Sequence, residues 1–449
     1  MQILLIAHDF PPIPSPQSLR WTYLVRELSR LGHKVDVLAP DHPGYGPPGG
    51  LPEIPEQVKV HRTFPGLFAW SLGAQQRIRR RIVTHGDGQG PGPEASTRTL
   101  QSAAPVALNW KGRLVERIRT AYASMLYPDV RAEWNPWARR ALFPLLRDLC
   151  PDVVIASHEP ASTLLLALAA KRKGYFVVAD LGDPVCAPYT PGRWRNRALR
   201  LEGRVCASCD LVLVTSQATR NLLLSRHSMP QNRIHVVPQG FNDAPNRDGG
   251  VPLERHRSEI LELLYTGSFY DFRSPDALIK AVVAAPGIRL SIASSQVPHT
   301  IEEAANKYPD SIRLLGFLPH LQVLALQRQA DVLVNLANAD ATQVPGKIYE
   351  YLGAGRPILH IGDDPSDEAA GLVNEAAAGW TCRNSLPELS QLLSTLSTRV
   401  VEIRGPGSPR DPGLIGKYSW SMRARDIVDR IFALRIHLSS ENHGAINAE

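Results

Sequence analysis

Lys347, Glu350 and Tyr351 are spaced so that one helix face would carry a cation, a carboxylate and a phenol. Helical side chains three and four residues apart are neighbours, so the three groups are predicted to lie together. Gly346, just before them, lets the backbone approach a ligand closely, and the unpaired N–H groups of a helix N-terminus attract phosphate. The spacing therefore predicts a phosphate site with a carboxylate beside it.

A short helix between two buried strands is predicted to position these side chains. Apolar runs at residues 331–336 and 358–361 are typical of strands. Pro345 suits the first helical turn, where a missing N–H is not needed, and Gly355 with Pro357 indicates the helix end. The stretch is thus predicted to be the helix of a β-α-β unit.

The residues alone leave two interpretations of Glu350 open. A carboxylate beside a phosphate site suits a hydroxyl pair such as that of a nucleotide ribose, which can donate to both carboxylate oxygens. The alternative is a surface ion pair between Lys347 and Glu350 on an ordinary α/β helix, because Pro-Gly-Lys turns are common.

The motif resembles that of a known enzyme family. It reads Pro345-Gly346-Lys347-x-x-Glu350-Tyr351-Leu352-x-Ala354-Gly355-x-Pro357. This pattern resembles the signature of the retaining, nucleotide-sugar-dependent glycosyltransferases of family four. Those enzymes have the GT-B fold, and the resemblance extends over most of the chain except about residues 44–126.

The resemblance implies roles for residues in and before the motif. Glu350 would contact the donor ribose, with Pro345, Gly346 and Tyr351 also in the donor site. The family has an earlier glutamate, separated from this one by seven residues, that touches the donor sugar. Thr342 occupies its place here, so Thr342 joins the predicted donor site, and Asp340 and Gln343 are candidate substitutes.

Composition narrows the class of protein. A chain of 449 residues with 43% hydrophobic and 21% charged residues is typical of a soluble protein with two or three domains. No apolar run reaches the roughly eighteen residues of a membrane span. The apolar N-terminus lacks a basic flank, so it is predicted to be a strand and not a signal peptide. Five cysteines suit a reducing compartment, and a cytoplasmic protein is predicted.

A single C-x-x-C pair, Cys206 and Cys209, raises the question of a metal. Because no second pair stands at ligand spacing, burial in the core is favoured over zinc, and no metal site is predicted.

Short apolar strands alternate with helical patterns along most of the chain, which predicts α/β folding with parallel, doubly wound sheets. The predicted strands are residues 2–7, 35–39, 58–61, 152–156, 176–180, 211–215, 234–237, 261–266, 288–293, 312–315, 331–336 and 358–361. Ligands of such sheets bind beyond the carboxyl ends of the strands.

The loop after the first strand lacks the G-x-G-x-x-G of dinucleotide enzymes, which argues against an NAD site. Ser18 is predicted to cap the following helix, which would place Gln17 and Arg20 at its mouth. The resemblance implies that this loop lies near the acceptor. The alternative for Arg20 is a solvated helix residue.

Two later turns also resemble the family. His158 follows a predicted strand, where it can donate to a sugar hydroxyl, and it resembles the donor-facing histidine of the family. Asp183 follows the next strand and is assigned to the acceptor side. A purely structural histidine, and a loop-capping Asp183, are the alternatives.

In the second half, Gly267 and Ser268 follow a predicted strand, and Arg273 lies slightly downstream, as in a second phosphate contact. The family usually has a basic residue directly after the glycine, so Ser268 is a departure and Arg273 an approximate match. Gly316 and Phe317 resemble the place where the family holds the nucleotide base.

The predicted organisation follows from this resemblance. It comprises two Rossmann-like domains facing each other across a cleft and a last helix that crosses back to the first domain. The predicted segments are an acceptor-side domain at 1–245 with a basic, partly disordered insertion near 44–126, a nucleotide-sugar domain at 255–415, a helix at 416–436 and a disordered tail at 437–449.

The net charge of +7 permits anionic partners. Arg77–Arg81 and the basic residues at 110–119, interleaved with Trp and Leu, suit an anionic membrane surface on the inner face of the membrane. A solvated basic helix is the alternative, and no nucleic-acid partner is predicted.

The resemblance implies an enzyme that transfers a sugar, with retention, from a nucleoside diphosphate sugar to a glycan or lipid-linked acceptor in polysaccharide or glycoconjugate biosynthesis. Lys347, Arg273 and the Gly346 amide would stabilise the departing diphosphate, and His158 would orient the sugar, so no cofactor or metal is expected. The alternatives are a nucleotide-sugar epimerase and a binding protein without transfer activity, the latter suggested by Thr342 and Ser268.

Overall fold

The computed structural model describes residues 1–42, 51–67, 69–71, 126–243, 260–269, 274–338, 344–364, 366–405 and 411–446. The chain forms two compact units. Unit 1 consists of Met1–Pro238 and Arg423–Glu449, and unit 2 of Gln239–Met422. The first unit thus ends before the predicted boundary at residue 245, and the end of the chain belongs to it, in agreement with the predicted return of the last helix.

Unit 1 contains a seven-stranded sheet in the order β3-β2-β1-β4-β5-β6-β7, with parallel neighbours throughout. Its strands are β1 (Gln2–Ile6), β2 (Lys34–Pro40), β3 (Lys59–Thr63), β4 (Val153–His158), β5 (Val177–Leu181), β6 (Leu211–Val214) and β7 (Ile234–Val236). The central strands are buried on both faces, which explains why they appear in the sequence as nearly continuous apolar runs.

Unit 2 contains a six-stranded parallel sheet in the order β10-β9-β8-β11-β12-β13. Its strands are β8 (Leu261–Thr266), β9 (Ile288–Ala293), β10 (Ile312–Leu314), β11 (Val332–Leu336), β12 (Ile358–Ile361) and β13 (Gly379–Cys382). Both sheets confirm the predicted α/β class, since helices connect the parallel strands.

The helices of unit 1 before the long C-terminal helix are α1 (Pro16–Arg30), α2 (Asn135–Leu149), α3 (Ser162–Lys171), α4 (Gly192–Ser208) and α5 (Gln217–Arg226). Those that follow are α6 (Asp276–Ala284), α7 (His299–Lys307), α8 (His320–Gln329), α9 (Lys347–Ala354), α10 (Glu368–Glu375), α11 (Leu386–Ser397), α12 (Val400–Arg404), α13 (Pro412–Gly416) and α14 (Trp420–Ile446). No helix in the described part of the chain combines the length and apolar character needed to cross a membrane.

Two predictions about the C-terminal part were wrong. The strand β13 was not predicted, because it is only partly buried and lacks an apolar run. The tail predicted to be disordered from residue 437 continues α14 as far as Ile446. Most of the predicted insertion at 44–126 lies outside the described residues, although β3, within it, pairs in parallel with β2.

Candidate functional site

The N-terminus of α9 brings the predicted cation and carboxylate together. Lys347 Nζ donates a hydrogen bond to Glu350 Oε2 at 2.9 Å. Gly346 is the N-cap, so Pro345 precedes the helix instead of occupying its first turn, with its carbonyl accepting from the Ile348 N–H at 3.0 Å. Gly355 ends the helix in the left-handed region, with φ of +72°, as the sequence predicted.

Glu350 is buried, which excludes the interpretation of its pair with Lys347 as a surface ion pair. Its side chain is 9% exposed, against 34% for Lys347. Gln327 Nε2 donates to the same Oε2 at 3.2 Å. Burial opposes ionisation of Glu350, but Lys347 and His320 outweigh it and hold the pKa of Glu350 below its usual value. The site therefore presents an ionised carboxylate with two donors fixing one oxygen.

His320, which begins α8, is a member of this site that sequence reasoning missed. Burial lowers its pKa to about 4, against a smaller raising effect from Glu350, so the ring is neutral at pH 7. The sequence signal was present, because His320 follows closely after Gly316 and Phe317, which had been assigned to the base. A histidine in such a loop deserved the same attention.

Tyr351 ties α9 to the end of β8. Its hydroxyl accepts from the Thr266 N–H at 3.0 Å and lies 3.3 Å from the Thr266 carbonyl, to which it can donate. Gln327 Nε2 also donates to Thr266 Oγ1, at 3.0 Å. Since Tyr351 is fully buried, it positions the glycine turn that follows Thr266 and offers no surface to a ligand.

That turn brings Gly267 next to the cation. Gly267 has φ of +138°, a conformation that favours glycine, and a Cβ there would stand 3.9 Å from Lys347 Cγ. The neighbouring Ser268 is exposed, and its carbonyl accepts from the Tyr265 hydroxyl at 3.0 Å. The two turns predicted to hold phosphate therefore meet in unit 2.

The predicted base site follows β10. Gly316 has φ of +67°, with open space where a side chain would begin, and Phe317 is 40% exposed. An exposed aromatic ring beside a glycine turn can stack on a planar base. Arg273, Asp340, Thr342 and Gln343 lie outside the described residues, so their roles stay predictions.

In unit 1, Gln17, His158 and Gly182 meet at the carboxyl ends of β1, β4 and β5. A side chain on Gly182 would collide with Gln17 Nε2, and the His158 carbonyl lies 3.4 Å from the same point. His158 is 4% exposed and Gln17 is 8% exposed. The structure thus brings together residues that the sequence had placed separately on the donor and acceptor sides.

Several buried polar atoms near this edge have no hydrogen-bond partner among the described residues. They are Gln17 Oε1, Ser18 Oγ, Ser157 Oγ, His158 Nδ1 and Ser162 Oγ. Buried polar groups are usually paired, so such a concentration at the ligand edge of a parallel sheet is typical of a site that a ligand completes.

The predicted mouth of α1 is wrong in two respects. Ser15 caps the helix, accepting from the Ser18 N–H, and Ser18 itself is fully buried. Arg20 is also fully buried: it donates to both Asp180 oxygens, at 2.9 and 3.0 Å, and to the carbonyls of Val237 and Pro238. Neither a solvated nor a ligand-binding Arg20 is compatible with these contacts.

Asp183 lies in a hydrogen-bonded loop beside this edge. The Tyr189 hydroxyl contacts Asp183 Oδ2 at 2.8 Å and Glu159 Oε1 at 3.1 Å. Burial and the two carboxylates raise the pKa of Tyr189, which stays protonated. Tyr189 thus connects the loop of Asp183 to the residue after His158.

A second polar cluster at the ends of β1 and β2 was not predicted. His8 Nδ1 contacts Asp9 Oδ1 at 2.9 Å, and Arg131 Nη1 lies 3.5 Å from the same oxygen. The rings of His42 and Trp134 pack edge-on against His8. Burial lowers the pKa of His42 to about 3 and also lowers that of His8, so both rings are neutral. The sequence places Arg131 far from His8, which hid the cluster.

Comparison with known proteins addresses both units. Residues 96–244 match the sequence model of Glycosyltransferase Family 4. The match begins inside the stretch that the sequence analysis had set apart from the resemblance, and it ends before the Lys347 motif. No curated protein sequence matches the chain closely enough to count as a relative.

Solved structures match the whole length of the chain. Sucrose-phosphate synthase from Thermosynechococcus elongatus is 13% identical with a TM-score of 0.56, and the match covers 100% of each chain. TarM from S. aureus, solved with fondaparinux, α-GlcNAc-glycerol and UDP, is 10% identical with a TM-score of 0.56, over 96% of this chain and 99% of that one.

These neighbours decide the fold. The chain has the GT-B fold. The predicted resemblance to family four glycosyltransferases is also confirmed, over the matched residues. The fold is shared by a putative UDP-N-acetylglucosamine 2-epimerase from Listeria monocytogenes, which is 12% identical with a TM-score of 0.53 over 98% of this chain and 97% of that one.

The C-x-x-C pair of this GT-B protein lies in the core of unit 1. Cys206 and Cys209 are fully buried, and burial raises the pKa of each thiol to about 12. Within the described ranges no three His, Cys, Asp or Glu side chains converge as metal ligands would. The two thiols therefore serve packing between α4 and the sheet.

Proposed function

We propose that the protein transfers a sugar from a nucleoside diphosphate sugar to a glycan or glycolipid acceptor, with retention of configuration. The buried pair of Lys347 and Glu350 carries this proposal. It sets a cation at a helix N-terminus beside an ionised carboxylate. A diphosphate joined to a ribose needs that combination of groups.

The reaction breaks the bond between the anomeric carbon and a diphosphate oxygen, which gains negative charge as the sugar leaves. In our proposal Lys347, the Gly346 amide and Arg273 stabilise that charge. Fixed cations and helix N–H groups can do so without a metal ion. Gly267 lets the backbone approach the same phosphates, because no side chain stands between it and Lys347.

Glu350 accepts from the ribose hydroxyls in this proposal. Gln327 and Lys347 fix the carboxylate, and burial of His320 keeps that ring neutral, so Lys347 remains the cation closest to the diphosphate. The base stacks near Phe317. His158 donates to a hydroxyl of the transferred sugar, and Gln17 and Asp183 contact the acceptor.

The structural neighbours support the kinds of substrate proposed. One of them, TarM, was solved with UDP and glycan ligands. Another is a sucrose-phosphate synthase, whose name denotes formation of a sugar product. Membership in polysaccharide or glycoconjugate biosynthesis follows if the acceptor is a growing glycan or a lipid-linked sugar, which would place the enzyme at the inner face of the membrane.

Epimerisation of the nucleotide sugar is the second candidate, favoured by the fold shared with the putative 2-epimerase. An epimerase converts its donor with no acceptor present. A third candidate, binding without transfer, remains attached to Thr342 and Ser268, which depart from the family pattern.

An acceptor-dependence experiment separates the three. The protein is incubated with UDP-, GDP- and ADP-sugars, with and without a mixture of glycans and lipid-linked sugars, and nucleoside diphosphate release and the sugar isomer are measured by NMR. Release that requires an acceptor and yields a product of unchanged anomeric configuration supports our proposal. A new sugar isomer without acceptor supports epimerisation, and binding with neither product supports the inactive alternative.

A further inference from the structure

Helix α4 carries four arginines in a row along its exposed side. Arg193, Arg197, Arg200 and Arg204, here called the arginine stripe, are all exposed. Their spacings of four, three and four residues place them on one face, over a length of about 16 Å at 1.5 Å per residue. Arg195 is also exposed but donates to the carbonyls of Thr190 and Pro188, so it does not belong to the stripe.

The opposite face of α4 fixes this orientation. Ala198, Leu201, Glu202 and Val205 are buried against unit 1. Glu202 accepts from the Cys186 N–H at 3.0 Å and contacts His227 at 2.8 Å. Because these contacts anchor the helix, the arginine stripe cannot rotate inward and must face away from the core.

The stripe is not neutralised by nearby acidic residues. In the part of the chain that the structure describes, no carboxylate lies within 4 Å of any of its four guanidinium groups. Arg197, Arg200 and Arg204 all act electrostatically on the Tyr127 phenol, so their positive fields overlap. Four like charges held together without counterions attract a multivalent anion.

Two aromatic rings lie among these arginines. Arg193 and Arg197 lie over the Trp194 ring, at 5.5 and 5.1 Å from its centroid, and Arg197 lies 5.7 Å from the Tyr127 centroid. The Trp194 and Tyr127 rings contact each other at 5.5 Å. Trp and Tyr beside basic residues favour the boundary between water and lipid, where an apolar ring and a polar tip are both accommodated.

We propose that the arginine stripe, with Trp194 and Tyr127, docks unit 1 on anionic lipid headgroups. Lipid is favoured over nucleic acid because guanidinium groups already cover the Trp194 ring, which reduces its availability for stacking with a base. The surface differs from Arg77–Arg81 and residues 110–119, and it does not depend on glycosyl transfer, since binding to a membrane needs no substrate.

The test measures cosedimentation of the full chain with vesicles. One vesicle population contains equal parts phosphatidylglycerol and phosphatidylcholine, and the other only phosphatidylcholine. The stripe variant carries Arg193→Gln, Arg197→Gln, Arg200→Gln and Arg204→Gln. Its matched control carries Lys280→Gln, Lys307→Gln, Arg313→Gln and Arg383→Gln, which remove the same charge from exposed positions of unit 2.

We expect the wild type to bind the anionic vesicles and to be released by salt. The stripe variant should lose at least about tenfold in affinity and the control less than about threefold, since each basic residue near an anionic surface contributes roughly 1 kcal/mol. Circular dichroism and nucleotide-induced stabilisation, measured in parallel, should be the same for all three proteins and separate this result from the fate of the proposed transfer activity.

Three results would overturn the proposal: no vesicle binding by the wild type, an equal loss in the control, or equal binding to neutral vesicles. Tighter binding of the stripe to a single-stranded RNA than to anionic vesicles, abolished in the stripe variant, would assign the surface to nucleic acid instead. An additional variant with Arg77, Arg79, Arg80 and Arg81 replaced by Gln tells whether that segment is needed too; if it alone abolishes binding, the stripe is not the docking surface.

Discussion

The carboxyl ends of the two sheets differ in how their polar groups are paired. In unit 2, Lys347, Glu350, Gln327, Thr266 and Tyr351 form one connected set of hydrogen bonds. In unit 1, the corresponding edge holds several buried atoms without a partner among the described residues, including Gln17 Oε1 and His158 Nδ1. The first arrangement is complete before a ligand arrives, and the second is not.

This difference teaches how the two edges can recognise ligands. Ionised groups that are buried must be paired in the free protein, because an isolated buried charge is very unfavourable. Neutral donors and acceptors such as Gln17 and His158 are less unfavourable when unpaired, and a hydroxyl-rich ligand can satisfy them. The pairing therefore suits a charged nucleotide in unit 2 and a neutral sugar at the edge of unit 1.

The largest expected effect tests whether the buried charge of unit 1 is part of the scaffold. Arg20→Ala leaves Asp180 buried without its ion-pair partner, so we expect the free energy of unfolding to fall by about 3–5 kcal/mol. Urea denaturation measures it. Arg172→Ala, at an exposed position, is the control and should change stability by less than about 0.5 kcal/mol. A stability loss for Arg20→Ala as small as that of the control would contradict a scaffold role.

Replacement of Lys347 tests the charged site of unit 2. Lys347→Ala removes a cation from the departing diphosphate, and we expect turnover to fall by about 10²–10³-fold, as for loss of one group that stabilises a developing anion. Steady-state nucleotide release measures it. Lys280→Ala, at an exposed position of the same unit, is the control. Turnover unchanged in Lys347→Ala would remove that residue from the mechanism.

The neutral His320 makes unit 2 sensitive to acid. Its pKa is about 4 in the folded protein and 6.5 in the unfolded chain, so between these values the unfolded state binds the additional proton. Stability from this residue is thus present above pH 6.5 and lost as the pH falls toward 4. We expect the loss over this window to be about 1–2 kcal/mol smaller in His320→Gln than in the wild type, by urea denaturation at each pH.

The control for His320 is His299→Gln, because the His299 side chain is 79% exposed. It should retain the pH dependence of the wild type. If His320→Gln also retains it, the ring does not stay neutral on folding.

The smallest effect is expected at the unpaired edge of unit 1. His158→Asn should lower turnover about tenfold, the value of one neutral hydrogen bond to substrate, while leaving the affinity for nucleoside diphosphate unchanged. Turnover and nucleotide affinity are measured separately. An equal loss of nucleotide affinity would mean that His158 acts on the nucleotide and would weaken the contrast between the two edges.

Most of the fold could be predicted because parallel strands buried on both faces must be apolar, and twelve such runs correspond to observed strands. The strand β13 could not, since Gly379–Cys382 lies at the edge of its sheet and is only partly buried. The end of α14 was missed because polar residues near a terminus are typical of both an exposed helix and a disordered tail.

The site was predictable only where its partners are close in sequence. Lys347 and Glu350 lie one helical turn apart, so their contact follows from helix geometry. Arg20 and Asp180 are 160 residues apart, and their ion pair follows only from the packing of α1 against β5. His320 and the cluster of His8, Asp9 and Arg131 were missed for the same reason, since the chain brings them together from separate loops.

Binding of nucleoside diphosphates tests the central claim, that unit 2 holds the donor through Glu350. Thermal unfolding is measured with UDP, GDP and ADP and their sugar conjugates for the wild type, Glu350→Ala and the exposed control Glu302→Ala. We predict that one nucleotide series stabilises the wild type and the control, by about 2.7 kcal/mol at 100 times the dissociation constant, and stabilises Glu350→Ala much less. A flat response to every donor, or an undiminished response in Glu350→Ala, would contradict the claim.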